Sequence, residues 1–152
     1  MIQLNVQKMN LNVKAIQNAS SALRNLLVGE ETMTDLALQA GTIVQNRTQE
    51  GRDADGSYFD PYTDDYAKKR AKAGRSLKPD LTWSGKMLRN IHALFLGTGK
   101  SAVVFRDSTM ANIAAGNSKK RNFFSLTATD EVNALVNQLD RKIGQGLKRL
   151  GL

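Results

Sequence analysis

Five carboxylates crowd between positions 53 and 65: Asp53, Asp55, Asp60, Asp64 and Asp65. Acids so close together could hold a calcium ion or divide the acid and base roles of a hydrolase. An EF-hand loop requires glycine at its sixth position and a bidentate acid at its twelfth. Counted from Asp53, the sixth position is Tyr58, and the glycine, Gly56, falls at the fourth. Hydrolysis needs surroundings that drive two carboxyl pKa values apart, and a turn-rich polar loop offers no apolar pocket to do so. The expectation is an ordered turn whose Asp53 and Asp55 stay solvated or meet a basic partner, with no metal and no catalytic pair.

Two further patterns invite chemistry. Gly97-Thr98-Gly99-Lys100-Ser101 ends like a phosphate-binding loop, but that motif needs a glycine where Leu94 stands and a helix after the Lys-Ser pair. Ala102-Val103-Val104-Phe105 is strand sequence, so a hairpin turn is expected. His92 is the only histidine, and on an alternating strand its role reads as structural. Cysteine is absent, which excludes disulfide scaffolds, thiolate zinc sites and thiol catalysis. Neither an enzyme nor a cofactor is expected.

The charge is lopsided. Residues 1–60 carry 5 Lys/Arg against 7 Asp/Glu, whereas residues 61–152 carry 17 against 7. Lys68, Lys69, Arg70, Lys72, Arg75 and Lys78 follow one another with no intervening acid. Such a run suits nucleic acid or an acidic protein surface, and it equally describes a solvated helix face. Trp83, the single tryptophan, fits either an interface anchor or a lid on the core.

The elements that must position these residues follow from periodicity. Ile2, Leu4 and Val6 alternate as in a short strand, then Leu11 to Leu27 recur at helical spacing until Gly29. A second helix starts near residues 30–34; its Leu36, Ala40, Ile43 and Val44 can bury, with Arg47 at the rim. Residues 51–62 are loop, docked by Phe59 and Tyr62 around Pro61. Thr63 should cap the basic helix, which ends at Gly74, and Ser84 or Thr82 should cap a short turn through Leu88. A hairpin from Ile91 to Phe105 follows, with more strand-like pieces at 111–115 and 122–126. Thr129-Asp130 should cap a last helix striped by Val132, Leu135, Val136, Leu139, Ile143 and Leu147. Gly144, Gly146 and Gly151 should fray its end unless a neighbour supports it. The class is α+β in a single domain of 1–152: N-terminal helices, a small mostly antiparallel sheet and a long C-terminal amphipathic helix. No run of about 18 apolar residues spans a membrane. Residues 1–6 lack a signal peptide's apolar block, so cytoplasmic synthesis is expected.

Five short motifs occur in a fixed order. Arg47, Thr48 and Gly51 end a long helix, and Asp55-Gly56 precedes Phe59, Pro61 and Tyr62. Tyr66, Lys68 and Lys69 lie in the next helix, and Leu81, Ser84, Gly85 and Leu88 follow it. Last come Gly116, Arg121, Phe123 and Phe124, then Thr129-Asp130. Across roughly residues 35–145 this order resembles the tail-completion, or virion morphogenesis, proteins of tailed bacteriophages. Asn122 stands where that family often has proline, and Phe124 where it has leucine.

The resemblance implies a non-catalytic virion protein of the phage neck or tail, made in the host cytoplasm, that completes the tail and joins it to the head. It implies a homo-oligomeric ring, six-fold by analogy, between connector and tail proteins, with heterologous contacts between subunits. Asp55, Gly56, Phe59, Pro61, Tyr62, Trp83, Gly85, Arg121, Phe123 and Phe124 become the loop and assembly anchors. The basic run becomes the contact to genome DNA in the channel or to an acidic neighbour, without base reading. A non-enzymatic nucleic-acid-binding protein is the competing expectation.

Overall fold

A computed structural model describes the backbone of residues 6–151 and the side chains of residues 17–151. Helix α1 (Val6–Val28) passes directly into α2 (Glu30–Gln49) through Gly29. The Gly29 N–H still donates to Asn25 O at 2.9 Å, while its own carbonyl accepts from Met33 N at 3.0 Å. A Cβ at Gly29 would lie 2.2 Å from Asn25 O, so this one-residue corner admits only glycine. The strand expected over Ile2, Leu4 and Val6 lies outside the described residues except at Val6, where α1 begins.

Helix α2 is the platform. Ala37, Ala40, Gly41 and Val44 form a buried, small-residue face. Onto it packs the inner side of an antiparallel hairpin, β1 (Ile91–Gly97) and β2 (Lys100–Phe105). A Cβ at Gly41 would meet Ile91 at 3.1 Å and Val103 at 3.5 Å, so glycine lets the sheet settle close to the helix. Ile91 pairs with Phe105 and Ala93 with Val103 on this inner face. His92, opposite Val104, and Leu94, opposite Ala102, point the other way, as the alternation requires. The turn's Gly97 and Gly99 take positive φ, and Gly99 N donates to Val28 O at 2.9 Å. Lys100-Ser101 thus opens a strand, not a phosphate-binding helix.

The core gathers Val44, Phe59, Met87, Leu88, Ile91, Ala114 and Phe123, with Leu81, Val103, Phe105 and Phe124 packed against it. Helix α3 (Asp64–Lys72) contributes no core residue, whereas α4 (Lys86–Arg89) supplies Met87 and Leu88 to that core and α5 (Ser108–Ser118) supplies Ala114. Helix α6 (Thr129–Arg149) returns along α1 and α2. Gly146 supports the weak end of α6: a Cβ there would overlap the Leu26 side chain at 2.3 Å. Lys142 pairs with Asp35 of α2 on the same seam. The α6 stripe divides, with Leu135, Leu139, Ile143 and Leu147 half-buried while Val132 and Val136 stay exposed.

Four local expectations need correction. Residues 111–115 belong to α5, because the Asp107 carboxylate accepts from Met110 N at 2.9 Å and starts a helix through an alanine-rich stretch. Residues 122–126 form no strand; their carbonyls go to side chains of Arg47 and to the loop instead. The short α4 begins at Gly85 in the left-handed conformation, φ +71°, rather than on a Thr82 or Ser84 cap. Thr63 precedes α3 without a side-chain cap, and Thr129, expected to cap the last helix, is its first residue after an uncapped Ala128, although acids do occupy both first turns.

Candidate functional site

Two buried arginines, Arg47 and Arg70, organise the acidic loop's seam and the ring cluster beside the basic helix. Spacing alone puts Arg47 at the rim of α2, but in the structure it is 5 % exposed. Its guanidinium donates to Glu131 Oε2 and to the carbonyls of Phe123 at 2.6 Å and Ser125 at 2.7 Å. Burial pushes the Glu131 carboxyl above the usual range, and the Arg47 charge pulls it part of the way back. This pair replaces a strand ladder: it satisfies the backbone of 123–125 by a side chain.

The acidic loop hangs from the same seam. Ala54 N donates to Asn122 O at 2.7 Å, and Thr127 Oγ1 donates to Ala54 O at 2.9 Å and to Asp55 Oδ1 at 2.8 Å. Asp53 Oδ1 accepts from Asp55 N at 3.0 Å and Ser57 N at 2.9 Å, closing a turn around Gly56 at φ +85°. The two carboxylates therefore bind the chain itself. Phe59 and Phe123 are buried in the core, and Phe124 packs on Phe105 with centroids 4.7 Å apart and the rings tilted at 39°. These anchors fasten the loop from inside. Pro61 is exposed, as is Tyr58 at 71 %, which carries Arg52 over its ring at 4.9 Å.

The second arginine overturns the reading of the basic run as one exposed face. Arg70 is 1 % exposed and cannot contact DNA or an acidic partner. Tyr62 lies 4.7 Å from its guanidinium, Tyr66 5.9 Å and Trp83 6.0 Å, so three rings enclose one cation. Its Nε donates to Ser76 O at 2.5 Å, and Nη2 reaches Asp80 Oδ1 at 3.3 Å and Thr82 O at 3.2 Å. Between those last two residues Leu81 adopts φ +54°, a conformation costly for a branched side chain. Arg70 holds both flanks of that turn. Burial raises the Tyr62 phenol above its usual pKa, with the Arg70 charge opposing the shift.

Beside the cage opens a cleft of about 520 Å³. Tyr62, Tyr66 and Trp83 form one wall, and Ile113, Gly116 and Asn117 of α5 the other. Lys120 and Arg121 close its end; Arg121 Nη2 donates to Asp60 O at 3.1 Å and its guanidinium covers Tyr62 at 5.5 Å. Lys69 reaches over Trp83 at 5.9 Å. Lys68, Lys72, Arg75 and Lys78 remain outside on the exposed side of α3 and its following turn. Tyr66 and Arg70 stand four apart within α3, and that pair was the sequence signal for part of the cage; Tyr62 precedes the helix and carried none.

Among the described residues no three His, Asp or Glu side chains converge as a metal site, and no helix is long and apolar enough to cross a membrane. No family model, curated protein or solved structure matches the chain.

Proposed function

We propose that the protein is a structural subunit of the phage neck or tail, acting in tail completion and head–tail joining without a catalytic step. One observation supports this reading: residues of the short motifs, or their close neighbours in sequence, meet in the fold, with Arg121 of the last motif over Phe59 and Tyr62 of the second. Arg47 of the first motif binds Phe123 and Ser125 at the last, across 76 and 78 residues of chain. Asp55 of the loop motif meets Thr127, and Arg121 meets the Asp60 carbonyl. Tyr62 and Tyr66 enclose Arg70, whose partner Asp80 adjoins the Leu81 motif.

A ring subunit needs separate surfaces for its two neighbours. The outer face of the hairpin exposes Leu94 and Leu96, and α6 exposes Val132 and Val136. These patches suit heterologous contacts, with six-fold closure taken from the analogy. The test is a null allele of the gene in its phage: electron micrographs of the lysate should show filled heads and free tails unjoined. Normal joined particles in the null lysate would end the reading.

A second reading is favoured by the exposed Lys68, Lys69, Lys72, Arg75 and Lys78. A non-enzymatic nucleic-acid binder using them should bind duplex DNA without sequence preference at roughly 10⁻⁴–10⁻⁶ M, weakening steeply with salt.

A further inference from the structure

The cleft beside Arg70 combines three properties that the sequence keeps apart. Its walls carry Tyr62, Tyr66, Trp83 and Arg121, the residue types that dominate binding hot spots. Its shape is fixed in advance, because Arg70 locks α3 to the 76–82 turn and Arg121 ties α5's end to residue 60. A partner therefore meets an ordered surface and loses little to ordering it. Finally, its charge is uncompensated. Among the described residues no carboxylate pairs with Lys69, Lys120 or Arg121, and Arg121 Nε is buried with no acceptor. Of the acids nearby, Asp80 is committed to Arg70, and Asp60, Asp64 and Asp65, which adjoin the lining residues Pro61, Thr63 and Tyr66, pair with none of these three cations.

We propose that this cleft is a docking site for an acidic peptide segment of a partner protein, with one large apolar side chain seated between the Tyr66–Trp83 wall and Ile113. The partner's carboxylates face Lys69, Lys120 and Arg121. The volume admits an aromatic or leucine-sized anchor, and Ile113 at 44 % exposed offers the apolar side of the opposite wall. Nucleic acid fits less well. Stacking needs open ring faces, yet Tyr62 already carries Arg70 and Arg121, and Trp83 carries Lys69 and Arg70. A base would have to displace those cations. The inference stands on this surface alone, so it survives or fails independently of the phage reading.

Trp83 is the only tryptophan, so its emission reports occupancy directly. The full-length chain is titrated with the synthetic peptide Asp-Glu-Phe-Asp-Glu, with its amide counterpart Asn-Gln-Phe-Asn-Gln, and with a ten-residue oligothymidylate. The acidic peptide should shift the emission saturably below about a millimolar. The amide peptide should bind at least about tenfold more weakly, since charge-assisted bonds are lost. Lys69→Gln with Lys120→Gln, both exposed and safe for the fold, should weaken the acidic peptide by a similar factor. Oligothymidylate binding more tightly than the acidic peptide would replace this occupant with nucleic acid and overturn the proposal. No emission change at millimolar acidic peptide, or binding indifferent to the double substitution, would overturn it as well.

Discussion

Arg47 and Arg70 are both buried, and both donate hydrogen bonds to one carboxylate and two backbone carbonyls. They differ in reach. Arg47 joins groups 76, 78 and 84 residues away, whereas the hydrogen-bond partners of Arg70 lie only 6, 10 and 12 residues off. The first closes the fold by fastening the final segment and α6 to α2. The second closes a local cage of rings that shapes a surface cleft. Similar hydrogen-bonding chemistry thus serves stability in one region and presentation in the other.

The largest way to break this symmetry is Arg47→Ala. It leaves Glu131 and two carbonyls without their donor, and losing one partner of a buried pair costs about 3–5 kcal/mol. Thermal unfolding should drop across the whole molecule, with cleft and core melting together. Arg70→Met keeps volume but leaves Asp80 and the Ser76 and Thr82 carbonyls without their donor, again breaking a buried pair at up to about 3–5 kcal/mol, and less than Arg47→Ala because the Asp80 contact is longer, 3.3 Å against 2.5 Å. Its signature should be a changed Trp83 emission at temperatures where circular dichroism still reports a native helix content.

Gly85→Ala sharpens the comparison at smaller cost. The residue sits at φ +71°, and an added Cβ would lie 2.5 Å from the Arg89 guanidinium, a flexible group that can move. The backbone term alone is roughly 1–2 kcal/mol. Chemical denaturation should show a lower midpoint with an unchanged slope.

The smallest effect is a titration. Burial raises the Tyr62 pKa above 10.0, so forming its phenolate costs more in the folded state than in the unfolded chain. That contribution to stability is intact below pH 10.0 and is lost as pH rises through the higher folded value. Arg70 works against the shift, so in Arg70→Met the Tyr62 phenol should ionise later still. Ultraviolet titration of the wild type and of a Tyr62→Phe control reads the difference.

Much of this fold was legible from the chain. The Gly29 break, α2, the loop at 51–62, the hairpin and the long α6 all follow from spacing and turn residues, and the α+β class follows from their order. Residues 111–115 misled because alanine and isoleucine suit either state over so short a run, and the deciding Asp107 cap acts from four residues upstream. The arginines were hidden for a different reason. A charged residue among other charges reads as solvent-facing, and only the tertiary convergence of Tyr62, Tyr66, Trp83 and Asp80 makes burial affordable. Arg47 needed partners more than 70 residues away, which periodicity does not encode.

A docking surface that is separable from the core must be able to loosen without unfolding the protein. Native-state hydrogen exchange of Arg70→Met, read by peptide mass spectrometry against wild type, tests that separation most directly. Exchange should accelerate within residues 60–89 while α2, β1, β2 and the half of α6 packed on Leu26 keep wild-type protection. Uniform acceleration across α2 and α6 would contradict the division between the two arginines.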